Sequence, residues 1–132
     1  MYGDNRYDEN VPIYLQIMDR MKRRILTGDW QPGDRIPAVR DLAMAYGVNP
    51  NTMQRALSEL EREGLLFSER TTGRFITRNS ELIEEVRGRL AEAVIREFIA
   101  RMEQMGFTRG QIAARVAEEA AGPPPGPPAG RE

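Results

Sequence analysis

The stretch from Val39 to Gly64 constrains this chain more than any other. It holds two blocks of helical apolar spacing with almost nothing between them. The first block, over about 38–46, puts Val39, Leu42, Ala43 and Tyr46 on one side of a helix, and Gly47 breaks it. In the second block Asn49 is a good N-cap and Pro50 a good first helical residue. The helix then runs to about Glu63, and Gly64 closes it. On a wheel of 100° per residue, Met53, Ala56, Leu57 and Leu60 fall on one side. Asn51, Gln54, Arg55 and Ser58 fall on the other.

The flanking sequence extends this pair into a mainly α fold with a small β-hairpin. Residues 1–10 are polar and aperiodic, which predicts a flexible N-terminal arm. Pro12 suits a helix start, Ile13, Ile17, Met21 and Ile25 follow at helical spacing, and Gly28 stops the run. In QPGD (31–34), Pro32 presets a turn and Gly33 supplies positive φ. LLFS (65–68) and RFIT (74–77) are short β-type runs joined by ERTTG, a hairpin with glycine in its loop. From Ser80 the apolar residues Ile83, Val86, Leu90, Val94, Phe98, Met102 and Met105 predict a helix of roughly 25 residues. Gly106 ends it. Thr108 and Gln111 then have capping-box spacing and open a helix to about Ala121. The Pro/Gly-rich end, 122–132, is expected to be disordered. The domains follow: arm 1–10, a first domain 11–78, a helical segment 79–121 and a tail 122–132.

Composition removes several functions. With 132 residues there is room for one compact domain and an appendage. The chain has neither cysteine nor histidine, so disulfides, thiolate metal sites and the commonest general base are absent. Lys22 is the sole lysine, and no acidic pair stands apart from solvating neighbours. An enzyme is not expected, and neither a metal nor a cofactor is implied. No apolar run reaches the roughly 18 residues of a membrane span. The first 30 residues carry Asp4, Asp8 and Glu9 without an apolar run and do not resemble a signal peptide. A cytoplasmic location is the expectation. Net charge is −1, so any attraction to nucleic acid must come from local charge.

The polar face of the second helix has two readings. It is a solvated surface, or it faces a ligand. The short helix, glycine break and second helix match helix-turn-helix spacing, in which the N-terminal part of the second helix enters the DNA major groove. Asn, Gln and Arg carry the donors and acceptors that read base edges there. Glu59, Glu61 and Glu63 all sit at the far end, where phosphates would repel them. The N-terminal end, with free N–H groups and the positive end of the dipole, would be attracted. The hairpin, with Arg70, Arg74 and Arg78 around its tip, is either a solvated basic loop or a wing. Beside a helix-turn-helix the wing is favoured.

With these elements in order, residues 12–77 resemble the winged-helix DNA-binding domain of the GntR family of bacterial transcription regulators. The matching stretches are PIYLQI (12–17), the run from Gly28 to Pro37, VRDLAMAYGVNPNTMQRAL (39–57), LEREGLL (60–66) and TGRFIT (72–77). The resemblance implies that Arg40 contacts phosphate and bases. It places Asn49, Asn51, Thr52, Gln54 and Arg55 at recognition-helix contact positions, and Gly73 and Arg74 at a wing tip reaching the minor groove. Two positions depart from the family pattern. Ala38 stands where serine is frequent, which removes an N-cap worth about 1 kcal/mol. Thr71 replaces the first of two wing glycines.

The segment after residue 78 is similar in length to that of the short YtrA-like subfamily, whose C-terminal helices dimerise. An apolar stripe from Ile83 to Met105 either folds back on its own domain or pairs with a second copy, and pairing is favoured. Two half-sites would multiply weak contacts. The expected function is a homodimeric repressor binding double-stranded DNA at a pseudo-palindromic operator. A small apolar effector lined by Met102, Met105 and Phe107 is left open beside simple core packing. The competing reading, supported by the near-neutral charge, is a protein-interaction adaptor using the winged helix and the helical stripe.

Overall fold

The computed structural model describes residues 6–124. These fall into two compact units, one ending at Gly88 and the other starting at Arg89. The first contains α1 (Ile13–Leu26), α2 (Val39–Tyr46), α3 (Pro50–Arg62), β1 (Leu66–Glu69), β2 (Gly73–Ile76) and the opening turns of α4 (Ser80–Gln104). The second contains the rest of α4 and α5 (Arg109–Ala121).

Local chemistry sets both ends of α3 and the end of α2. The Asn49 side chain accepts the Asn51 N–H at 2.7 Å, Pro50 fills the first helical position, and Gly64 leaves α3 at φ 85°. Gly47 adopts the left-handed conformation (φ 68°) as the C-cap of α2, a geometry that costs glycine little. Ala38 starts α2 without any side-chain cap bond, as expected from the missing serine.

The core is apolar and continuous. Ile17, Met21, Leu42, Met53, Leu57, Leu60, Leu65 and Ile76 are fully buried. Burying each such side chain stabilises the unit by about 1.5–3 kcal/mol. Ile13 keeps the helical spacing of α1 but is 43% exposed. The hairpin pairs Phe67 with Phe75 and Ser68 with Arg74, and the two phenylalanine rings stack 5.5 Å apart.

The segment after the QPGD turn adds to the hairpin's free edge, which the sequence did not announce. Gly33 N–H donates to the Ile76 carbonyl (2.9 Å), Ile76 N–H to Asp34 (2.8 Å) and Ile36 N–H to Arg74 (3.0 Å). Arg35 forms a β-bridge with Phe75. The hairpin is thereby tied to the chain entering α2.

Two expectations need correction. The arm is not loose over 6–10. The Tyr7 hydroxyl donates to the Tyr46 carbonyl at 2.6 Å, Arg20 lies 4.3 Å over the Tyr7 ring, and Gln16 exchanges two hydrogen bonds with the Asp8 backbone. Burial pushes the Tyr7 phenol above its ordinary pKa, with Arg20 opposing and Tyr46 adding to the rise. Residues 1–5 lie outside the described residues, as does the tail from residue 125. The second correction concerns the long stripe. Ile83 and Val86 are buried within the first unit, so they are not free to meet another chain. That unit extends past residue 78 because the first turns of α4 close its core. Arg87 donates to the Leu26 carbonyl at the end of α1 (2.6 Å).

In the second unit both capping-box bonds form. Gln111 N–H donates to Thr108 Oγ1 at 3.1 Å, and Thr108 N–H to Gln111 Oε1 at 2.9 Å. Gly106 (φ 96°) ends α4. Ile112 is buried, whereas Val94, Ile95, Phe98, Met105 and Val116 are 40–66% exposed.

Candidate nucleic-acid interface

The apolar side of α3 (Met53, Ala56, Leu57, Leu60) is buried, which fixes the direction of the opposite side. Asn49, Asn51, Gln54, Arg55 and Ser58 are exposed, and Thr52 is half-buried. The first turn carries no acidic residue, so nothing offsets the positive end of the helix dipole there. The Gln54 amide donates to Ser58 Oγ at 3.1 Å. The Arg55 guanidinium lies 3.8 Å over the Tyr14 ring of α1. Arg40 is exposed in the first turn of α2.

The acid at the other end of α3 does more than avoid phosphates. Glu63 pairs with Lys22 at 2.8 Å, Glu59 with Arg62 at 3.5 Å and Glu61 with Arg74 at 3.1 Å. Glu61 also accepts from Ser68 Oγ at 2.5 Å. One carboxylate thus holds both strands of the hairpin to α3. Arg74, which the resemblance puts at the wing tip, is only 20% exposed, and its side chain sits on Glu61.

Gly73 is exposed at the tip with φ 116°. Any Cβ added there would lie 3.1 Å from Arg35 Nε, so glycine lets the Arg35 side chain cross the tip. Sequence reasoning left Arg35 unassigned, because its place depends on the edge pairing of residues 33–36 with β2. Among the described residues, Arg35, Arg40, Arg70 and Arg78 have no ion pair. Arg78 instead lies 5.0 Å over Phe67. Arg35, Arg70 and Gly73 share one groove with Ala38 and Val39 at the start of α2. The near-zero net charge therefore hides a separation. The C-terminal end of α3 is neutralised, while Arg35 and Arg70, which make no ion pair among the described residues, line the groove between the hairpin and the start of α2 together with Glu69.

The dimerisation candidates divide. Val94, Phe98, Met102 and Met105 line one groove on the second unit, together with Glu97 and Arg101, and Leu90 is half-buried. Ile83 and Val86 belong to the first unit's core. Of the residues considered for an effector, Met102 and Met105 share that groove, while Phe107 has Arg115 5.2 Å over its ring. Among the described residues no helix is long and apolar enough to cross a membrane.

A helix-turn-helix with a hairpin held beside its second helix defines a DNA-binding transcription regulator of the winged-helix class. Within that class the chain belongs to the GntR family. Residues 13–76 match the model of the bacterial regulatory proteins of the gntR family. The chain is 38% identical over 109 residues to the uncharacterised HTH-type transcriptional regulator YhcF of Bacillus subtilis, covering 83% of this chain and 90% of that one. It is 44% identical over 72 residues to the HTH-type transcriptional repressor YtrA of the same organism, covering 54% of this chain and 55% of YtrA. A GntR family regulator from Listeria monocytogenes superposes with a TM-score of 0.78 at 35% identity, over 85% of this chain and 98% of that one. These relatives are regulators and not enzymes.

Proposed function

We propose that this chain is a homodimeric repressor of the YtrA-like kind, acting in the cytoplasm on a pseudo-palindromic operator. The observation that carries the reading is the exposed, acid-free face formed by Asn51, Gln54 and Arg55 at the start of α3. In this reading α3 enters the major groove N-terminus first. Asn51, Gln54 and Arg55 read base edges, and Asn49 and Thr52 contact the adjoining backbone. Arg40 reaches phosphate from α2, and Gly73 lets the wing tip approach the neighbouring groove. Arg74 contributes there only by leaving Glu61.

Dimerisation is proposed through residues 89–121. The exposed Val94, Phe98 and Met105, with Leu90 and Met102, form a patch that water does not favour. The repressor sign is supported by the name of YtrA.

The test is binding to operator fragments selected from a random duplex pool. Arg55→Ala is expected to lose about 1–3 kcal/mol of operator affinity, and parent affinity is expected to fall steeply with salt. If Arg55→Ala discriminates operator from random duplex as well as the parent does, the recognition-helix reading is wrong. If sedimentation shows a monomer at concentrations that saturate the operator, the dimer reading is wrong. An adaptor would retain no DNA at about 0.1 M salt.

A further inference from the structure

We propose that Tyr14, on α1 and outside the recognition helix, is a positioning residue for DNA reading through Arg55. The inference rests on the proposed placement of α3 against DNA. Its starting point is the Arg55 guanidinium 3.8 Å over the Tyr14 ring. Arg55 is exposed and makes no ion pair among the described residues, while Tyr14 is half-buried at the base of the contact.

Stacking has a directional consequence. The guanidinium is planar, with five N–H donors in its plane. Contact with a ring occupies one flat face and leaves the edge free. That edge makes bidentate bonds to the guanine O6/N7 pair or to a phosphate. The ring also narrows the rotamers of a side chain that otherwise carries about 2 kcal/mol of rotamer entropy. Part of the ordering that DNA would impose on Arg55 is already imposed by Tyr14.

The scaffold behind the contact is rigid. The ion pair between Lys22 and Glu63, at 2.8 Å, lies the same interval further along both helices as the Tyr14 and Arg55 contact. The two helices therefore run side by side in one direction, and Ile17, Met21, Met53 and Leu60 are buried with no exposed area. Tyr14 is held at the end of α1 beside the acid-free half of α3. On the polar face of α3, Arg55 lies over this ring, whereas the Gln54 amide is engaged with Ser58 Oγ.

The experiment is a double-mutant cycle with the full chain on the selected operator. Tyr14→Leu is expected to weaken operator binding roughly two- to five-fold, the size of an exposed cation–π contact. Tyr14→Phe, which keeps the ring, is expected to restore parent affinity. In an Arg55→Ala background Tyr14→Leu is expected to have no further effect. Preference among bases should relax in Tyr14→Leu at the same operator positions as in Arg55→Ala. Parent-like binding by Tyr14→Leu overturns the proposal, and so does an equal loss in both backgrounds or a failure of Tyr14→Phe to rescue. If Arg55→Ala alone binds like the parent, the placement of α3 fails and the positioning role fails with it.

Discussion

The two units use the same kind of sequence and reach opposite ends. Both have helices with apolar residues every three or four positions, bounded by glycines and capped by a side chain. In the first unit that periodicity is consumed internally: Leu42, Met53, Leu57 and Leu60 are 0% exposed. In the second, Ile112 is buried while Val94 is 65% and Met105 66% exposed. Periodicity states which residues want to leave water. It does not state what will cover them, and here one unit is complete in a single chain while the other offers its stripe outward.

The strongest way to break this contrast is to delete one large side chain from each unit. Leu57→Ala, in the closed core, is expected to cost about 2–5 kcal/mol, with a melting midpoint that drops equally at all protein concentrations. Phe98→Ala, on the open stripe, should give a loss that depends on protein concentration, because it acts on association. A concentration-independent loss for Phe98→Ala would mean that the second unit closes on itself. The capping residues sharpen the same comparison at a smaller scale. Asn49→Ala is expected to cost about 1 kcal/mol of two-state stability in the first unit. Thr108→Ala, which removes half of a capping box, should cost a similar amount at α5, read by helicity on heating. A smaller effect still is expected at the hairpin clip. Glu61→Gln should lower global stability by no more than about 1 kcal/mol while accelerating amide exchange in β1 and β2 more than in α1. Uniform acceleration would show that the hairpin is held by its phenylalanine stack alone.

What was legible in the sequence was what short-range chemistry decides. The start of α3 at Pro50, the turn at Gly33, the end of α2 at Gly47 and the capping box at Thr108 each follow from a few adjacent residues. The exposed polar face of α3 was legible because a helix wheel needs only spacing. Contacts between distant segments were not. Nothing in the string MYGDNRYDEN indicates that the Tyr7 hydroxyl will meet the Tyr46 carbonyl, or that Arg35 will cross Gly73. The pairing of Arg74 with Glu61 was not legible either, because its partner lies on another element. The stripe of α4 looked uniform because periodicity cannot register where one unit ends and the next begins.

The Glu61 clip has a consequence for how this protein responds to ions. When an arginine that faces solvent meets a phosphate, the small cations condensed on the DNA are set free, and their entropy supplies much of the affinity. For Arg74 the exchange is different. In the proposed complex it would first leave the Glu61 carboxylate, which would then recruit a cation of its own from solution. The ion released by the DNA would be taken up by the protein. A contact of this kind would be nearly silent in a plot of affinity against salt, and counting phosphates from that slope would miss it. In the proposed complex Arg74 would thus touch DNA without adding to the indiscriminate attraction that every polyanion exerts, unlike Arg70 in the same loop, which makes no ion pair among the described residues.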